Sequence, residues 1–202
     1  MANASRAPVV EIPAVEGLLD RLRLKHLLSR YPPRIVWATF VFVNGFVTIA
    51  ILAALAMLTR TPFVFPSLGP TAFLLFFSPL APASSPRNTL YGHAIGILCG
   101  FGALVLTGLQ HAPPAIAAGV DAQRVIAAAL SLAATGAGMV WFRCPHPPAG
   151  ATTLIISLGI VTRPIYLLEI EVAVALLILQ AFVINRLAGL DYPRWEQRQR
   201  PA

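Results

Sequence analysis

Charge is scarce in this chain. Asp, Glu, Lys and Arg make up 11% of its 202 residues, where a soluble domain carries about a quarter. Acidic residues are the scarcest, at 8, and they lie mainly towards the chain ends. With so few carboxylates and no Ser-His-Asp spacing, the sequence offers no acid–base constellation for an enzyme. The 2 cysteines, Cys99 and Cys144, define neither a disulfide framework nor a metal site. Cys99 sits inside an apolar run and reads as a small packed side chain. No cofactor-binding pattern is visible. The net charge is +7, but the basic residues cluster at the chain ends and loop edges. Such placement orients a membrane protein and is not a nucleic-acid footprint. A short apolar core followed by a small-residue cleavage site is also lacking near the start, so residues 1–34 do not read as a cleavable leader.

What the chain has instead is apolar length. Hydrophobic residues make up 57%, and most fall in runs at 35–58, 88–109, 125–142 and 165–187. Each meets or approaches the ~18–20 residues that cross a bilayer. The expectation is an all-α polytopic membrane protein. Ahead of the first run, Val15, Leu18, Leu19, Leu22, Leu27 and Leu28 recur at helical spacing, with Arg21, Arg23, Lys25 and Arg30 between them. This pattern fits an amphipathic helix, either on the membrane surface or against the cytoplasmic end of the bundle. The chain therefore divides into a cytoplasmic amphipathic segment (1–34), a first membrane repeat (35–110), a connecting loop (111–124), a second membrane repeat (125–187) and a basic tail (188–202).

The word repeat rests on a motif. Pro66-Ser67-Leu68-Gly69-Pro70-Thr71-Ala72-Phe73 and Pro147-Pro148-Ala149-Gly150-Ala151-Thr152-Thr153-Leu154 share the pattern Pro-x-x-Gly-x-Thr-x-apolar. Each lies between two apolar runs, where a simple span would have a turn. Prolines bracket the first copy, leaving helical character only over 68–77, roughly 15 Å at ~1.5 Å per residue. Proline fits the first turn of a helix, so the second copy predicts a helix start near Pro148. The fold expected is two repeats of span, half-helix, span, with each half-helix re-entrant or broken. Either four full spans or six crossings satisfies this pattern. Both put the two termini on one side, and the basic ends make that side cytoplasmic. The Lys and Arg placed inside differ by one between the two arrangements, which does not choose between them.

At His146-Pro147-Pro148-Ala149-Gly150-Ala151-Thr152 the chain resembles the HPP family of integral membrane proteins, and Pro66–Ala72 is similar to that family's first signature. Pro70 departs from it, since a small residue is usual there. The resemblance implies four membrane spans and, through relatives implicated in nitrite transport, the movement of a small monovalent anion. From the residues themselves, paired half-helix starts gather free N–H groups and partial positive charge, a setting for an anion. Candidate binding residues are Ser67, Gly69, Thr71, His146, Gly150, Thr152 and Thr153. Candidate proton carriers are His93, His146, Glu169 and Glu171, with His93 near the start of its span. His146 is equally readable as a cap that fixes its loop. Gly92, Gly96 and Gly100 fall on one helix face and allow close packing, inside the chain or between copies in a homo-oligomer. The partners expected are the bilayer, the anion and further copies of the chain, and no nucleic acid. A small-solute channel and a non-transporting scaffold remain the competing readings, and a bacterial inner membrane is the expected location.

Overall fold

The computed structural model describes residues 23–61 and 63–196. The amphipathic positions up to Leu22 and the end of the basic tail lie outside the described residues. Within them the chain is helical, without strands: α1 (Leu24–Arg30), α2 (Pro33–Thr59), α3 (Leu68–Phe77), α4 (Pro86–Leu106), α5 (Ala115–Ala118), α6 (Ala122–Trp141), α7 (Ala149–Ser157) and α8 (Pro164–Leu187). A short 3-10 turn covers Pro82–Ser84. Four helices, α2, α4, α6 and α8, are long and apolar enough to cross a membrane. The chain is an integral membrane protein on these grounds. Exposed Phe42, Phe46, Met57 and Leu58 give α2 an outward apolar surface suited to lipid.

Local chemistry sets the helix starts. α4 begins at Pro86 rather than two residues later, because Ser85 accepts from the Asn88 N–H and proline fits the first turn. α6 begins at Ala122, because Asp121 caps it by accepting from the Arg124 N–H. Arg124, assigned to a loop by sequence, is therefore helical and buried. Its guanidinium donates to Ser157 O and Pro113 O. That puts a cation on the last carbonyls of α7, where the helix dipole favours it.

Contacts at the two ends of the bundle fix the path of the chain. At one end Leu24 N donates to Ala188 O, Arg87 N donates to Trp195 O, and Arg87 Nη1 donates to Arg143 O. This gathers the starts of α1 and α4 with the ends of α6 and α8. At the other end, the Arg124 contacts and Ala115 N donating to Leu158 O gather the start of α6, the end of α7 and the loop after α4. The short helices point to opposite ends. Phe76 of α3 lies edge-on to Phe40 near the start of α2, and Asn185 near the end of α8 donates to Leu75 O. So α3 runs towards the first end and α7 towards the second. Each short helix packs on the long helix before it and on the last long helix of the other half: α3 on α2 and α8, α7 on α6 and α4.

α4 is the centre of this arrangement, and its glycines explain why. A Cβ on Gly92 would sit 2.6 Å from His146 Cβ. One on Gly96 would sit 2.8 Å from Ala149 O, and one on Gly100 2.8 Å from Thr153 O. The stripe lets the second broken segment lie along α4 at backbone distance. It is filled from within the chain, which is the first of the two packing readings of Gly92, Gly96 and Gly100.

After α8 the chain turns at Gly189 (φ +82°) and straps across the start of α4. Tyr192 is fully buried there, its hydroxyl donating to Ser84 O at 2.5 Å. Trp195 stacks edge-on against Tyr91, and Glu196 pairs with Arg87 at 3.5 Å.

Two outcomes follow. Alanine for glycine inside a helix normally stabilises by ~0.5–1 kcal/mol. Gly96→Ala should instead lower the unfolding midpoint in detergent, because overpacking costs about 1–3 kcal/mol. Gly102→Ala, with nothing within 4 Å of the new carbon, should hold or raise it. Burial pushes the Tyr192 phenol above its ordinary range. In the unfolded chain the phenol loses its proton at about pH 10. The stability that burial links to that proton is thus complete below about pH 10 and is lost as the pH rises further. Tyr192→Phe should be less stable than wild type by about 1 kcal/mol at neutral pH, and the gap should close in alkali when unfolding midpoints are compared across pH.

Candidate functional site

Where the two broken segments pass each other against α4, the interior turns polar. Thr71 on α3, His93 on α4, Thr152 on α7 and His146 in the loop before α7 are all buried at 1% exposure or less. His93 Nδ1 lies 2.7 Å from Thr152 Oγ1. His93 Nε2 lies 2.8 Å from Thr71 Oγ1 and 3.2 Å from His146 Nε2. His146 Nδ1 lies 2.8 Å from the carbonyl oxygen of Ala83. Thr71 Oγ1 is also 3.0 Å from Ser67 O and 3.4 Å from His146 Nε2.

One assignment of hydrogens satisfies this whole set. A carbonyl can only accept, so His146 Nδ1 carries a proton and donates to Ala83 O. Neutral His146 then presents a lone pair at Nε2. Two ring lone pairs would repel at 3.2 Å, so His93 Nε2 carries the intervening proton. His93 Nδ1 is left as an acceptor, and Thr152 donates to it. The same His93 Nε2–H is shared with Thr71 Oγ1, which in turn donates to Ser67 O. Each ring nitrogen thus has a partner, as burial away from water demands.

The sequence explains the placement in part. Thr71 and Thr152 are the shared threonine of the two motif copies. His93, placed by sequence near the start of its span, is fully buried. Gly92 beside it lets the loop carrying His146 close over α4. Ala83, whose carbonyl orients His146, carried no sequence signal, because any residue supplies a carbonyl.

The other candidate residues divide. Ser67 and Thr153 are fully buried, and neither hydroxyl has a hydrogen-bond partner. Gly69 is exposed, with open space where a side chain would be, so nothing approaches it closely. Gly150 is half-buried against Leu132. Glu169 and Glu171 lie on α8, and no hydrogen bond joins them to the histidines. Both Glu171 carboxylate oxygens and Glu169 Oε2 are buried without partners. The expected row of free amides at the start of α7 is not there. Ala149, Gly150 and Ala151 N–H donate to the carbonyls of His146, Pro147 and Pro148, because Pro148 takes helical angles and tightens the first turn. At α3, Leu68 N–H donates to Phe65 O, and Pro70 has no N–H to give. Among the described residues, no group of three or more His, Cys, Asp or Glu side chains could hold a metal ion.

Beside the cluster, a groove of about 550 Å³ runs between α6 and the second broken segment. Leu132, Thr135, Met139 and Gly150 line it, with Arg143 and His146. His146 lies at the back of this lining and is itself fully buried.

Residues 30–193 match the family described as HPP, transmembrane region. A Dictyostelium discoideum protein described as a transmembrane protein is 28% identical over 155 residues, covering 73% of this chain and 47% of its own length. The chain thus spans about half the length of that relative. No solved structure matches. The match spans both broken segments and all four long helices, and the chain belongs to the HPP transmembrane family.

Proposed function

We propose that this protein is a transporter, not an enzyme, and that it carries a small monovalent anion, nitrite being the first to test. The observation that carries this reading is the buried His93–His146 pair at the crossing of two broken segments. Polar and ionisable groups inside a membrane bundle are costly and mark substrate or ion paths by default. Non-helical backbone at such depth belongs inside protein or beside a cavity. The Ser67 and Thr153 hydroxyls, buried and unpartnered, supply donors for an anion, and Gly69 drops out of the site. Recognition rests on hydroxyls and imidazole rather than on free helix amides.

The arrangement is read as an inverted repeat. α2, the α3 segment and α4 make three passes, and α6, the α7 segment and α8 make three in the opposite sense. Both termini lie on one side, taken as the cytoplasmic face of a bacterial inner membrane from the basic ends. Paired broken helices in inverted halves are the arrangement that places a substrate near mid-membrane.

The test is uptake by liposomes containing only this protein. Nitrite uptake should saturate, rise with an inward proton gradient, and be inhibited by nitrate or formate. His146→Ala should lower it about tenfold or more, the loss expected when a contact worth ~1.5–3 kcal/mol is removed. Uptake that ignored the gradient would mark a channel. A folded protein that moved none of the three anions would leave the scaffold reading.

A further inference from the structure

We infer that His93 and His146 act as one proton-binding unit, which takes up a single extra proton along the Thr152–His93–His146–Ala83 chain and so supplies the positive charge a small anion needs. This rests on the transport reading for its anion, while the proton unit itself rests on geometry alone.

The atoms define the step. In the neutral arrangement Thr152 donates to His93 Nδ1, His93 Nε2–H is shared between Thr71 Oγ1 and His146 Nε2, and His146 Nδ1–H points at Ala83 O. A proton arriving at His93 Nδ1 turns the Thr152 hydroxyl from donor to acceptor and makes His93 an imidazolium. The bond to His146 Nε2 then becomes charge-assisted. The bridging proton can pass to His146, leaving the charge on the residue nearer the groove between α6 and the second short helix. No bond between heavy atoms changes, and the unit gains one proton and one positive charge. A second proton would set two imidazolium N–H groups against each other at 3.2 Å, so the unit stops at one.

The surroundings leave this charge without a fixed counter-ion. α3 offers Thr71, α7 offers Thr152, and the 82–84 turn offers a carbonyl. On α4, the nearest charged residue is Arg87, held by Arg143 O, Phe142 O and Glu196. On α6, Arg124 lies at the far end on Ser157 O and Pro113 O, and in the loop that follows, Arg143, a further cation, lines the same groove as His146. On α8, Arg186 pairs with Asp191, while Glu169 and Glu171 make no hydrogen bond to either ring. Among the described residues neither ring is in an ion pair, so an anion from outside completes the charge.

The experiment is nitrogen-15 NMR of ring-labelled histidine in the full chain in bilayers, followed across pH with and without nitrite. The chain has 4 histidines. His26→Gln and His111→Gln, both remote from the cluster, assign the outer two. The expected result is that the His93 and His146 rings change together in one step, taking up one proton between them. Nitrite should move that step to higher pH, because an anion favours the charged form. Thr152→Val should move it to lower pH, because the protonated Nδ1 loses its acceptor. Two rings that titrate independently, or a step that ignores Thr152→Val, would overturn the proton unit. A joint step that ignores nitrite would overturn its role as the anion's counter-charge. A joint step in a protein that moves no anion in liposomes would leave the unit standing and remove the transport reading.

Discussion

Backbone that leaves helical geometry in a buried place must find its hydrogen bonds within the protein, and around the two short helices this requirement sets the packing. The second broken segment meets it by lying on the glycine face of α4. Its own first turn is tightened so that Ala149, Gly150 and Ala151 are all bonded. At its far end, the Arg124 side chain takes the Ser157 carbonyl. The first broken segment is held by α2 and by Asn185 of α8. Asn185 of the second half thus takes a backbone carbonyl of the first, and α4 of the first half packs along the short helix of the second.

That close approach also makes the chemistry. Without Gly92, the loop before α7 could not reach α4, and His146 could not stand 3.2 Å from His93. Four residues from four separate segments form one hydrogen-bonded chain, and the repeated threonines hold both sides of His93. The 82–84 turn that orients His146 through Ala83 is itself tied to the tail by Tyr192. The strap outside the bundle and the histidines inside it therefore share one short turn.

Much of this was readable from residues. The limits of α3 follow from its prolines, and the span and half-helix order follows from the apolar runs and the repeated Pro-x-x-Gly-x-Thr motif. Thr71 and Thr152 stand out because they occupy the same position in both copies. Other features were hidden because they depend on segments distant in sequence. His93 has no counterpart in the motif, and its burial is decided by a loop more than fifty residues away. The glycine stripe announces close packing but not its partner, which proved to be α7. Arg124 looked like an orienting loop charge, since nothing local shows that Ser157 O needs a donor. The free amides at α7 were the plain misreading: two prolines before a helix can tighten its first turn as well as open it.

The account depends most on the two halves running in opposite senses, so that the broken segments pass each other at the histidine pair. Side-specific labelling with a membrane-impermeant thiol reagent tests this directly, in a chain whose Cys99 and Cys144 are replaced by alanine. His111→Cys lies in the loop after α4, and Asp191→Cys lies in the tail after α8. The account predicts that the two positions are labelled from opposite sides of the membrane. Labelling of both from the same side would mean that each broken segment returns to the face it left, and would contradict the crossing on which the site is built.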